Sequence, residues 1–187
     1  AAGIVHYCDK PLEVGAVVKG VLDWERRFDN MQNHTGEHVF SGLVHAKFGF
    51  ENVGFHMDDD VITCDFSGVM TEEEVAGIEK ACNEAIVANV PVNISFPDAE
   101  TLEKMVYRSK KALTGDVRIV DIPDCDRCAC CGVHVKSTGE VGLVKVISSM
   151  KHRGGTRVFF VCGIRALNDY EARIRETRAV SAQLSAK

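Results

Sequence analysis

No stretch of the sequence approaches the roughly 20 consecutive apolar residues that a membrane-spanning helix needs, so a hydrophobic spanning segment is excluded. The chain opens Ala1-Ala2-Gly3 with no basic segment leading into an apolar one, and no secretory leader is read there. Internal repeats and low-complexity tracts are missing too. With 45% apolar and 26% charged residues and a mean hydropathy of −0.04, the bias of disordered, collagen-like or coiled-coil chains is missing as well. The 187 residues suffice for a buried core in one domain or one and a half. The expectation is a soluble, cytoplasmic globular protein.

Positive charge is scarce at first and plentiful later. Residues 1–103 hold 6 basic and 19 acidic side chains, whereas residues 104–187 hold 16 and 8, within a net charge of −5. Phosphates would be repelled by the first part, so a nucleic-acid partner would dock on the second. Arg108, Lys110, Lys111, Lys145, Lys151, Arg153 and Arg157 are the candidates, with Gly154-Gly155 making a mobile basic turn for phosphate contacts. A simply solvated basic face accounts equally well for any one of them.

Eight cysteines occur, but four of them, Cys125, Cys128, Cys130 and Cys131, fall within seven residues. Neighbours that close do not all form unstrained bridges, and metal or redox chemistry is the better reading.

Hydrophobic spacing and capping residues outline the elements. Residues 1–22 hold short β-type runs, at 4–7 and 14–22, that read as the closing strands of a preceding β-barrel-like domain. A helix is expected from Asp29, with Gln32 as its capping partner, to about Lys47, stopping at Gly49. Its core stripe is Phe40, Leu43 and Val44, while His34, His38, Ser41 and His45 share another face. Residues 50–66 read as a β-hairpin around the acidic turn Asp58-Asp59-Asp60. Thr71 to Glu74 forms a capping box opening a helix over 72–88, with Val75, Ile78, Cys82 and Ile86 inward. A third helix is expected from Pro97-Asp98 to about Ser109. Strands are expected at 117–122, 142–148 and 157–162, then a charged helix from Ala166 to Leu184 that leads toward a further domain. The sum is an α+β fold, a mostly antiparallel sheet covered by helices, with its main domain over 23–165 and the last helix over 166–187.

Two features carry chemistry. In His34-Thr35-Gly36-Glu37-His38 two imidazoles stand one helical turn apart and can aim at one ion. A peptidase of this type needs Glu directly after the first His; Thr35 stands there, and that reading fails. Cys130-Cys131-Gly132-Val133-His134 adds a Cys-x3-His pair. Together they form a borderline-soft N/S set suited to Zn²⁺. Taken alone, the two histidines could equally be a polar helix face. Cys125, Cys128 and Cys131 leave room for a separate zinc knob with Cys130, or for a Cys125–Cys128 redox pair. His45 lies two turns past His38, too far along the axis to share its ion, and His56 and His152 show no partner.

In this order, Asp23-Trp24-Glu25-Arg26-Arg27, Met31-Gln32-Asn33, the His34–His38 motif, Cys130 to Val135 and Ser137-Thr138-Gly139-Glu140-Val141-Gly142 resemble the alanyl-tRNA editing proteins. These are free-standing AlaX-type relatives of the alanyl-tRNA synthetase editing domain, and the likeness covers roughly residues 20–165. It implies a synthetase editing-domain-like fold and a zinc-dependent, ATP-independent aminoacyl-tRNA deacylase. The implied substrate is the acceptor end of tRNA(Ala) wrongly carrying serine or glycine. Its four metal positions fall on His34, His38, Cys130 and His134, and its small hydroxyl residue on Thr35. Val133 departs from the Thr that relatives often carry. An alanine pocket cannot strongly reject an isostere that adds a hydroxyl, so errors must be removed at a second site. Thr35 is the candidate to bond the serine hydroxyl or the attacking water. The reading from another class is a structural zinc module that binds tRNA or a protein partner without turnover.

Overall fold

The computed structural model describes residues 5–109 and 115–185. Its elements run α1 (Trp24–Phe48), β1 (Asn52–Met57), β2 (Ile62–Phe66), α2 (Glu72–Ala88), β3 (Asn93–Ser95), α3 (Ala99–Lys104), β4 (Ile119–Ile122), β5 (Asp126–Ala129), a 3-10 turn (Thr138–Val141), β6 (Val144–His152), β7 (Gly155–Cys162) and α4 (Gly163–Gln183). The expected α+β architecture holds, with its antiparallel strands divided between two sheets. One has the order β1-β2-β7-β6 and the other β3-β4-β5.

Helix α1 packs against strands of both sheets and against α2, α4 and the 3-10 turn. This explains why its buried residues, from Gln32 to Val44, go all round the helix instead of forming one stripe. The cap lies six residues before the expected one. Asp23 is the N-cap and accepts from the Arg26 N–H at 3.1 Å. Asp29 is drawn away by tertiary structure: its carboxylate binds the buried Arg165 of α4, with contacts of 2.6–3.0 Å. Gln32 is likewise not a cap. Its amide donates to the Glu140 carbonyl at 2.9 Å and accepts from the Ile164 N–H at 3.3 Å, tying the 3-10 turn and the start of α4 to α1. Gly49 closes the helix at φ 70°, a left-handed conformation natural to glycine.

The 50–66 hairpin and the α2 capping box form as expected, with Thr71 and Glu74 bonding reciprocally. Val75, Ile78, Cys82 and Ile86 are the buried residues of α2. The third helix is shorter than expected. Asp98 caps it, but it ends at Lys104 because the backbone around Arg108 pairs with β5: the Arg108 N–H donates to the Arg127 carbonyl at 2.8 Å, and the Ala129 N–H to the Arg108 carbonyl at 2.9 Å. Strand expectations fail at the start of the chain, where residues 5–22 contain no strand. A β-type run without a neighbouring ladder has nowhere to place its backbone hydrogen bonds except water.

The core centres on Phe40 of α1, stacked on Phe160 of β7 at 4.9 Å between centroids and tilted against Phe66 of β2 at 5.9 Å. All three are almost fully buried. On the other side, Gly42 lets α1 press against the β4–β5 turn: a Cβ there would lie 2.2 Å from the Cys125 carbonyl oxygen and 2.6 Å from the Asp126 Cβ. Phe40→Ala is expected to cost about 3–5 kcal/mol through lost burial and the cavity left behind. Denaturant unfolding checks this, and a loss under about 1 kcal/mol would contradict the assigned core.

Candidate metal centre

One turn of α1 presents His34 and His38, and the loop after β5 carries Cys130 and His134 to the same place. The four donor atoms all lie within 4.8 Å of one another. Gly132 permits the approach: a Cβ there would stand 2.2 Å from the His34 Cε1. The imidazoles pack on each other, His34 stacked on His134 at 4.4 Å between centroids and both edge-on to His38 at 5.0 and 4.7 Å. Phe55 of β1 stacks on His34 at 6.0 Å.

Hydrogen bonds behind the rings orient the donors. His34 Nδ1 lies 3.0 Å from the Val133 carbonyl oxygen, so it carries the proton and leaves Nε2, 3.6 Å from the Cys130 Sγ, as the donor atom. His38 Nδ1 lies 2.8 Å from Asp126 Oδ2, with the same consequence for its Nε2. His134 Nδ1 lies 3.4 Å from the Thr35 hydroxyl oxygen, which also accepts from the Val135 N–H at 3.1 Å. The His134 Nε2 is buried and has no hydrogen-bond partner among the described residues. A buried orphan acceptor beside a thiol and two more ring nitrogens is what a soft-cation site offers when its protein donors are counted alone. The four residues therefore fit, and can hold, a metal ion.

Charge is arranged to match. Burial alone would raise the Cys130 thiol, yet the adjacent His134, His34 and His38 rings override it and bring it down to about 3. Burial would lower His38, but the bond to Asp126, helped by Cys130 and Glu37, raises it to about 9. His134 has no such carboxylate, and burial takes it down to about 4. For Asp126, too, burial is outweighed, and bonds from His38 and Arg108 hold its carboxyl below the usual carboxylate range.

Asp126 and Arg108 are the residues that sequence reasoning missed or misassigned. Asp126, 1% exposed at its side chain, lies in β5, just ahead of Cys130 but outside both motifs. Arg108, expected on a phosphate, instead spends its guanidinium on both Asp126 oxygens at 2.7 and 2.9 Å. Arg157 also has a carboxylate partner, holding Asp65 with two bonds of 2.6 and 2.7 Å across β2 and β7. Lys145 pairs with Glu79. Lys151 and Arg153 are exposed around the β6–β7 turn, and Lys110 and Lys111 lie outside the described residues.

The rival cysteine readings gain no geometry. The described residues form two donor groups, and neither includes Cys125 or Cys131. The second, His38, Asp126 and Cys128, has its carboxylate already committed to Arg108. Burial pushes the Cys125 thiol up to about 11 and the Cys128 thiol up to about 12, opposite to the lowered value of a reactive redox pair. His45, His56 and His152 lie against Glu51, Asp58 and Asp65 respectively.

Fold and cluster together define an α+β domain with a His3Cys donor set able to hold a metal ion. Residues 117–158 match the threonyl and alanyl tRNA synthetase second additional domain. The alanyl-tRNA editing protein Aarsd1-B of Xenopus laevis is 32% identical over 169 residues, which is 87% of this chain and 41% of that protein. The alanyl-tRNA editing protein AlaX-L of Pyrococcus horikoshii is 34% identical over 166 residues, covering 87% and 41%. An alanine–tRNA ligase of Ignicoccus hospitalis is 34% identical over 175 residues, covering 89% and 19%. The chain is a homologue of the alanyl-tRNA editing proteins, as its motifs suggested, and spans about two fifths of the length of those first relatives.

Metal uptake at pH 7 is expected to release about one proton, from His38, since Cys130 is already a thiolate and His134 already neutral. Below about pH 9 the metal competes with that proton, so affinity should weaken about tenfold for each unit that pH falls. Calorimetric zinc titrations in buffers of different ionisation enthalpy check this. No proton release, with flat affinity between about pH 6 and 8, would contradict the arrangement.

Proposed function

We propose that this chain hydrolyses mischarged aminoacyl-tRNA, removing serine or glycine from tRNA(Ala), with Zn²⁺ held by His34, His38, Cys130 and His134. What carries the reading is the convergence of four soft and borderline donors from segments nearly a hundred residues apart, in a chain homologous to proteins named for alanyl-tRNA editing. A cysteine kept reduced to hold metal suits a reducing, cytoplasmic setting. When bound, zinc would supply Lewis acidity toward an ester carbonyl or water, or an anchor for the substrate amine.

The chain's own residues then divide the work. The Val133 carbonyl and Asp126 fix the tautomers of His34 and His38. Thr35 is fully buried, its hydroxyl between His134 Nδ1 and the Val135 N–H. We therefore assign it to positioning His134 rather than to contact with serine. Lys151 and Arg153, exposed at the β6–β7 turn, remain the candidates for phosphate contact with the acceptor stem.

Seryl-tRNA(Ala) deacylation by this chain is expected to fall about 100-fold or more in Cys130→Ala, with circular dichroism unchanged. Equal rates, both at background, would remove the enzyme reading. Four protein donors also suit a closed structural site, so a zinc module without turnover stays as the second reading. Chelation separates them. The Phe40–Phe66–Phe160 core is built from residues other than the four donors, of which Cys130 packs against it, so chelator should abolish turnover while lowering the melting temperature by only about 5–10 °C. Unfolding at room temperature on chelation would favour the structural module.

A further inference from the structure

We propose that Arg108 is a positioning residue for the metal centre, acting through Asp126 to fix His38 as an Nε2 donor; this rests on the metal-site reading above. Asp126 touches His38 Nδ1 with Oδ2, at 2.8 Å, and receives Arg108 on Oδ1 and Oδ2, at 2.7 and 2.9 Å. The carboxylate is therefore gripped from behind by a planar fork that lets it neither rotate nor leave.

That grip has two effects. First, a buried carboxylate beside a metal-ligating ring would otherwise be free to swing and bind the cation itself, since His38, Asp126 and Cys128 already lie within 4.8 Å of one another. With both oxygens bonded to Arg108, Asp126 is confined to accepting the His38 proton. Second, the Arg108 side chain is 12% exposed and the Asp126 side chain 1%, so the pair works in a medium where a fixed dipole counts for more than in water. The placement of Arg108 is itself backbone-determined, since it bridges β5 on both sides, through Arg127 and Ala129. A mere structural strut would need the salt bridge for folding. A positioning residue should change the metal.

Chelator-competition zinc affinity and the cobalt(II) visible spectrum, measured on this chain, test the idea. Arg108→Gln is expected to weaken zinc binding about 10–100-fold and to shift the cobalt bands, and Arg108→Lys, which keeps the charge without the fork, should recover only part of the loss. If Arg108→Gln fails to fold, the long-range ¹H–¹⁵N spectrum of the zinc-loaded wild-type chain decides. A proton on Nδ1 of His38 is expected there, and a proton on Nε2 overturns the proposal. Affinity within twofold of wild type in a folded Arg108→Gln, with the cobalt spectrum unchanged, also overturns it. A wild-type chain that binds no zinc would instead bring down the underlying metal-site reading.

Discussion

The close contact between helix α1 and the loop carrying Cys130 and His134 is the constraint on which the centre rests. Gly132 sits where any side chain would enter the His34 ring, and the Val135 N–H bonds to the Thr35 hydroxyl one residue along the helix. On the neighbouring face, Gly42 brings α1 onto the β4–β5 turn, and thereby Asp126 to His38 one helical turn earlier. Helix α1 is thus a central post rather than an amphipathic cover. His38 ends up buried, and His34 half-buried, because strands of both sheets close on it.

Such a cluster is costly without a cation. Two imidazoles are buried, a third and the Cys130 sulfur are half-buried, and one ring nitrogen is left with no partner among the described residues. In the metal-free chain the cost is limited by an internal ion pair: Cys130 is a thiolate, His38 is held protonated, and Asp126 with Arg108 neutralises the far side. A soft divalent ion would satisfy the same atoms at once, and its binding energy would offset their desolvation. The cluster therefore looks built for an occupant rather than for packing.

The four donors were legible in sequence because each pair has a fixed local spacing, i, i+4 on a helix and Cys-x3-His on a tight glycine-containing loop. Their supports were not. Asp126 and Arg108 come from segments brought together by the Arg108 backbone pairing with β5, which no local pattern announces. Asp29 misled as a helix cap because its chemistry as an acceptor is the same whether it meets a backbone N–H or Arg165. The short strands β3 and β5 carry too few apolar residues to alternate visibly, whereas the hairpin at 50–66 and the capping box at Thr71 were plain. Arg108 and Arg157 illustrate the same limit: a basic residue in a list of candidates does not reveal whether a carboxylate already holds it.

X-ray absorption at the zinc edge of the loaded chain tests the central claim most directly. One sulfur at about 2.3 Å and three nitrogens at about 2.0 Å are expected. A shell of oxygens without sulfur, or one dominated by two or more sulfurs, would show that the ion is held elsewhere and would contradict the account.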